Sequence, residues 1–207
     1  MNNIANRAYI ATEWITKFAY INLLWLGFSL AGLVVVGFFP ATISMFTIIR
    51  KWLMGETDIP IFRTFWTTYK SEFIRSNQLG FIILVVMGLI VLDLVIIKNA
   101  GKDDLGFIQI PIYLFMLAAI MTIFYLIPIY VHFELKLVQI IKNAFLMMLI
   151  HPIENLVMIS GIGAVFIVVK FVPGLGFFFG GSITAAILMT TCFLVFNKMD
   201  KKKQQTK

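Results

Sequence analysis

The chain has 207 residues, of which 60% are hydrophobic and only 13% charged, with a mean hydropathy of +0.95. A soluble domain of this length fills its core with about 45–50% apolar residues and carries about 25% charge, so this surplus of apolar surface needs lipid and a soluble enzyme is not what it encodes. The net charge of +7 does not describe a nucleic-acid surface either, because the basic residues flank the apolar runs and form no stripe.

Taken in chain order, the apolar runs predict an all-α polytopic bundle with about five spans, over 18–39, 79–97, 107–131, 153–169 and 175–196. The first begins near Phe18 and is too long for the core of a secretory signal. Its end at Phe39, Pro40, Ala41 and Thr42 lacks a small-residue cleavage site, so it is expected to stay as a span. The fourth, set between Pro152 and Lys170, barely suffices to cross untilted. Residues 1–197 form one transmembrane domain and 198–207 a basic cytoplasmic tail.

Two stretches between spans predict amphipathic helices on the inner face. In 61–77, Phe62, Phe65, Trp66, Tyr69 and Phe73 recur at i, i+3, i+4, i+7 and i+11, with Arg63, Lys70 and Arg75 elsewhere. An aromatic face flanked by cations suits a helix in the membrane interface or docked on a partner. The stretch 134–148 repeats the pattern more weakly, with Leu137, Val138, Ile141, Phe145 and Met148 on one side. The order span, inner-face helix, returning span thus occurs twice before the last span.

Orientation follows from sorting Lys and Arg. With the N-terminus outside, Arg50, Lys51, Arg63, Lys70, Arg75, Lys136, Lys142 and the basic tail fall inside, while Arg7, Lys17, Lys98, Lys102 and Lys170 stay outside. The expectation is N-out and C-in at the cell membrane.

No catalytic motif is complete. Gly101, Lys102 and Asp103 make no phosphate loop, and His132 with Glu134 or His151 with Glu154 lacks the spacing of a zinc helix. No catalytic residue, metal or cofactor is therefore expected. Asp93 is the carboxylate well inside a span, where an ionised group costs a few kcal/mol. It is the candidate intramembrane polar site, read first as a buried hydrogen-bonding group and second as a proton or cation relay. Gly176 and Gly180 form a G-x-x-x-G expected to serve helix packing within the bundle, with homo-oligomer formation as the second reading. Cys192, the lone cysteine, is a packing residue in the last span.

The arrangement resembles the YesL-like family of bacterial integral membrane proteins, a domain of unknown function. The likeness rests on Asn22, Leu23, Leu24 and Trp25, on Pro40, Ala41 and Thr42, on Phe65 and Trp66, and on Asp93, in this order. Proteins of this family are typically encoded beside carbohydrate ABC importers, two-component regulators and polysaccharide-degrading enzymes. What the resemblance implies is a noncatalytic accessory or regulatory component of sugar import, its partners the lipid bilayer and importer subunits or a membrane sensor. The alternative is a small transporter or channel in its own right, with Asp93 and the segment 173–181 lining a path.

Overall fold

The computed structural model describes residues 2–99 and 109–205, with side chains placed for 6–99 and 109–200. Lys102, Lys207 and the first two residues of the third expected span lie outside the described residues. Every element among the described residues is helical: α1 Asn2–Ala31, α2 Val35–Leu53, α3 Ile61–Ser71, α4 Phe73–Asn99, α5 Gln109–His132, α6 Leu137–Ile150, α7 Pro152–Phe171, the single turn α8 Pro173–Leu175, a π-helical turn Gly176–Gly180, and α9 Gly181–Gln205. Four stretches are long and apolar enough to cross a membrane, Phe73–Asn99, Gln109–His132, Pro152–Phe171 and Pro173–Asp200, so the chain is a multi-pass membrane protein. These match the last four expected spans.

The first expected span does not form as one helix. The chain reverses at Gly32, Leu33 and Val34, and α2 returns antiparallel along α1. Hydropathy cannot see this turn, because it is built from apolar residues. Val34 has φ 62° and ψ −61°, and its flanks close a three-residue turn in which the Val35 N–H donates to the Leu33 carbonyl at 2.7 Å. Gly32 and Gly37 let the two backbones touch, since a Cβ on either would collide with the other's main chain. The legs are tied by the Trp25 indole, which donates to Thr42 Oγ1 at 3.0 Å, while that hydroxyl donates to the Phe38 carbonyl at 2.7 Å.

The hairpin is also short of the far end of the bundle. Just past its tip the Val36 carbonyl accepts from Asn77 Nδ2 at 3.0 Å, in the first turn of α4. From Asn77, α4 runs on to Asn99, about 33 Å further at 1.5 Å per residue. At the open end Lys17 donates to the Thr57 carbonyl at 3.0 Å, so α1 enters and α2 leaves on the same side. The expected N-out orientation counted one crossing over 18–39, and that stretch is a hairpin instead of one helix.

α2 is the hub. From Gly37 to Ile49 nearly every side chain is buried, against α1, α3, α4, α5 and α9. Behind it the core is filled by Tyr125, Ile129, Met189, Cys192, Val195 and Phe196 from α5 and α9. α4 and α7 sit at the periphery and show most of their surface to lipid. The expected amphipathic helices form with shifted limits. The first ends at Ser71, Glu72 breaks the path, and Phe73 already belongs to α4; the second runs Leu137–Ile150 and is followed by a break at His151. α3 folds back along α2 and α6 along α5, so the order long helix, short returning helix, one-residue break, span occurs twice.

Three asparagines repair backbone hydrogen bonds that this path breaks. Pro40 has no N–H for the Val36 carbonyl, and Asn77 supplies the donor. Pro152 has none for Met148, and Asn155 Nδ2 donates to that carbonyl at 2.8 Å, while its oxygen accepts from the Tyr125 hydroxyl at 2.7 Å. Fully buried Asn22 inserts its amide where the π-helical turn meets α9, donating to the Phe177 carbonyl at 2.7 Å and accepting from the Ser182 N–H at 2.9 Å.

Two outcomes follow for thermal unfolding in detergent. Asn22→Leu leaves a buried N–H and a buried carbonyl unpaired and should destabilise by ~2–5 kcal/mol. Ser29→Ala removes a buried hydroxyl that has no partner among the described residues, so it should be neutral or stabilising; equal losses in both variants would show that Asn22 does not bridge. At the turn, Val34→Gly should raise the midpoint by relieving ~1–2 kcal/mol of backbone strain, since a β-branched residue holds positive φ there and over half its surface is exposed. A lowered midpoint would contradict this turn geometry.

Candidate functional site

α3 carries the expected docking face, and most of that face is occupied by the protein itself. Phe28 of α1 sits against Phe65, Trp66, Tyr69 and Phe62 at centroid distances of 5.2, 5.4, 5.1 and 6.3 Å. Phe65 is 0% exposed, and Tyr69 is buried with its hydroxyl donating to the Phe28 carbonyl at 3.3 Å. Burial pushes the Tyr69 phenol above its ordinary pKa, which keeps it a neutral donor. The outer edge is different. Phe62 is 52% and Trp66 39% exposed, and the Lys70 ammonium lies 4.6 Å from the Trp66 ring centre. Phe73 is half-buried and stacks edge-on with Tyr69 at 5.7 Å.

On the opposite side of α3 lies a polar cleft of about 520 Å³. Three separate stretches build it: Thr47 from α2, residues 68–75 across the α3–α4 break, and residues 130–136 at the end of α5. Glu72 is the residue that interrupts the helix, which turns its carboxylate toward α5, where it accepts from the Tyr130 hydroxyl at 2.5 Å. Arg75, one turn on, donates to the Leu135 carbonyl at 2.5 Å and lies 5.0 Å from the centre of the Tyr130 ring. Glu134 and Lys136 are exposed at the rim. Sequence reading missed this cleft. Arg75 stood off the aromatic face of an amphipathic pattern, Glu72 was not singled out, and nothing in the linear order tied either to Tyr130.

The remaining candidates do not gather into a site. Asp93 is half-exposed on the α4 stripe that includes buried Ile83 and Ile90, with no hydrogen bond or ion pair among the described residues, and it is not among the residues lining the cleft. Gly176 and Gly180 lie in the π-helical turn, not in a regular span. A Cβ on Gly176 would press on Val169, and Gly180 faces open space. Gly181 makes a further close approach, where a Cβ would stand 2.9 Å from Asn22 Oδ1 and 3.0 Å from Trp25. No group of three or more His, Cys, Asp or Glu side chains converges among the described residues.

A family of proteins of unknown function, DUF624, matches residues 18–94, the stretch from α1 through the hairpin and α3 to just beyond Asp93. Three uncharacterized proteins of Bacillus subtilis (strain 168) are similar over almost their whole length. YteU is 35% identical over 91% of this chain and 85% of its own; YesL is 32% identical over 100% and 98%; YesV is 34% identical over 98% and 97%. No solved structure matches the chain. The matched stretch holds Asn22, Trp25, Thr42, Asn77 and the α3 aromatics, whose contacts build the hairpin and seat α3 on it, and the chain belongs to this YesL-like DUF624 family.

Proposed function

We propose that this protein is a noncatalytic accessory or regulatory component of carbohydrate import at the cell membrane, docking on an importer subunit or membrane sensor through the outer edge of α3. The observation that carries the reading is the division of one aromatic face. Phe65 and Tyr69 anchor α3 to the hairpin, while Phe62 and Trp66 stay exposed beside Lys70, on a helix that lies outside the four long apolar stretches. Aromatic side chains with a neighbouring cation are the groups that supply binding energy at protein interfaces. The carbohydrate assignment comes from the family resemblance.

The same reading includes a topology. α1 and α2 enter and leave on one side, and four crossings then return the chain to that side. Of the 17 Lys and Arg residues, three (Lys98, Lys102 and Lys170) then fall outside and the other 14 inside, a stronger bias than the N-out arrangement gives. Both termini are cytoplasmic.

Two measurements check these statements. Single cysteines introduced as Thr12→Cys, Thr57→Cys and Lys170→Cys should react with a membrane-impermeant maleimide added to intact cells only at position 170, with buried Cys192 silent; labelling at position 12 would restore the N-out arrangement. For docking, Phe62→Ser with Trp66→Ser should leave thermal stability within ~1 kcal/mol, because both side chains are half in the open. Uptake of the cognate sugar should fall to the level of the deletion strain. Phe65→Ala should instead destabilise by ~3–5 kcal/mol. A deletion strain that takes up every tested oligosaccharide at the wild-type rate rules out the accessory role.

A further inference from the structure

The polar cleft behind α3 is independent of the α3 outer edge, and its charges define a ligand. Two cations, Arg75 and Lys136, and two carboxylates, Glu72 and Glu134, line it together. They do not pair with one another. The ion pairs among the described residues are Lys17–Glu13, Lys51–Glu56 and Lys198–Glu154, none of them in the cleft. Glu72 is held by Tyr130 through one oxygen, and Arg75 by the Leu135 carbonyl and the Tyr130 ring, so each keeps hydrogen-bonding capacity to spare. Glu72 and Arg75 are half-buried beside an apolar bundle, where a charge without a counter-ion is costly.

Position narrows the choice. The cleft lies where α4 begins, at Phe73, and where α5 ends, at His132. Two adjacent membrane spans start and stop there, which is the depth of lipid headgroups. An anionic headgroup would satisfy Arg75 and Lys136 but face two carboxylates. A cation would do the reverse, and a neutral polar group would leave all four charges unpaired. A phosphate and an ammonium on one molecule answer both signs, and about 520 Å³ is within the range of small-molecule pockets.

We propose that the cleft binds the phosphoethanolamine headgroup of a phospholipid, its phosphate on Arg75 and Lys136 and its primary ammonium on Glu72 and Glu134. The fork of Arg75 matches phosphate oxygens, and the carboxylates take N–H donors.

Native mass spectrometry of the full-length protein in detergent tests this, with phosphatidylethanolamine, phosphatidylcholine and phosphatidylglycerol of identical acyl chains as probes. Wild type should retain phosphatidylethanolamine at least about tenfold better than either competitor, because the trimethylated headgroup has no N–H to donate and the glycerol headgroup no cation. Glu72→Gln should erase that preference and leave phosphatidylglycerol binding intact or stronger, and Arg75→Gln should weaken all three. Equal retention of the three lipids by wild type overturns the proposal without any variant. So does a Glu72→Gln protein that melts at the wild-type temperature and keeps the preference. Soluble phosphoethanolamine is the last arm. If it raises the melting temperature as much as the lipid at equal concentration, the ligand is a free solute and the lipid assignment fails.

Discussion

A membrane offers no water to a backbone amide, so each N–H or carbonyl freed by an irregularity has to find a partner inside the protein. This chain breaks its helices repeatedly, at Pro40, at Pro152 and at the π-helical turn before α9, and at each break an asparagine supplies the missing group. An asparagine amide carries both a donor and an acceptor on one planar group, which is what a severed helical hydrogen bond leaves behind. The repairs also cross-link. Asn77 ties α4 to α2, Asn155 ties α7 to α6 and through Tyr125 to α5, and Asn22 ties α1 to the α7–α9 connection. Irregular helices and the contacts that position them are therefore one system.

The hairpin depends on that system. Its tip strains Leu33 and Val34, and the turn alone would not hold two legs in position. What holds it is polar and close-packed: Trp25 on Thr42 between the legs, Asn77 on Val36 at the tip, Asn22 on α9, and glycines at the crossing points. Once α2 is fixed, α3 can seat Phe65 and Tyr69 on Phe28, and α5 can run beside it until Arg50 Nε donates to His132 Nδ1 at 3.3 Å.

The sequence was informative where one physical effect acts alone. Hydropathy placed α4, α5, α7 and α9 because a long uncharged run has few alternatives to crossing, and the aromatic spacing found α3 because half of it is buried in one direction. It failed at 18–39, where the reversal uses Gly32, Leu33 and Val34 with no proline, asparagine or aspartate to mark a turn. Asn22 stood out as part of a pattern shared with a family, without a reason for being there. Asn77 passed for the polar edge of an amphipathic helix, and Asn155 drew no notice, because each acts on a carbonyl whose orphaning is decided by a proline elsewhere in the chain. Gly176 and Gly180 fitted a packing motif, and in the π-helical turn Gly176 packs on Val169 of α7 while Gly180 faces open space.

The cleft follows from the same helix breaks. In both repeats a short helix returns along its predecessor and a single residue, Glu72 or His151, turns the chain into the next span. A helix that stops there leaves carbonyls without intrahelical partners. At His151 the backbone N–H donates to the Met147 carbonyl at 3.1 Å, a local closure inside one helix end. At Glu72 the end of α3 is also closed locally, by the Glu72 N–H and the Ser71 hydroxyl on the Thr68 carbonyl, and the side chains beyond it reach across to α5. The carboxylate reaches α5, Arg75 reaches the Leu135 carbonyl beyond the end of α5, and the two stretches are propped apart around Tyr130. Bridging two span ends with charged side chains leaves a polar volume between them in the first repeat.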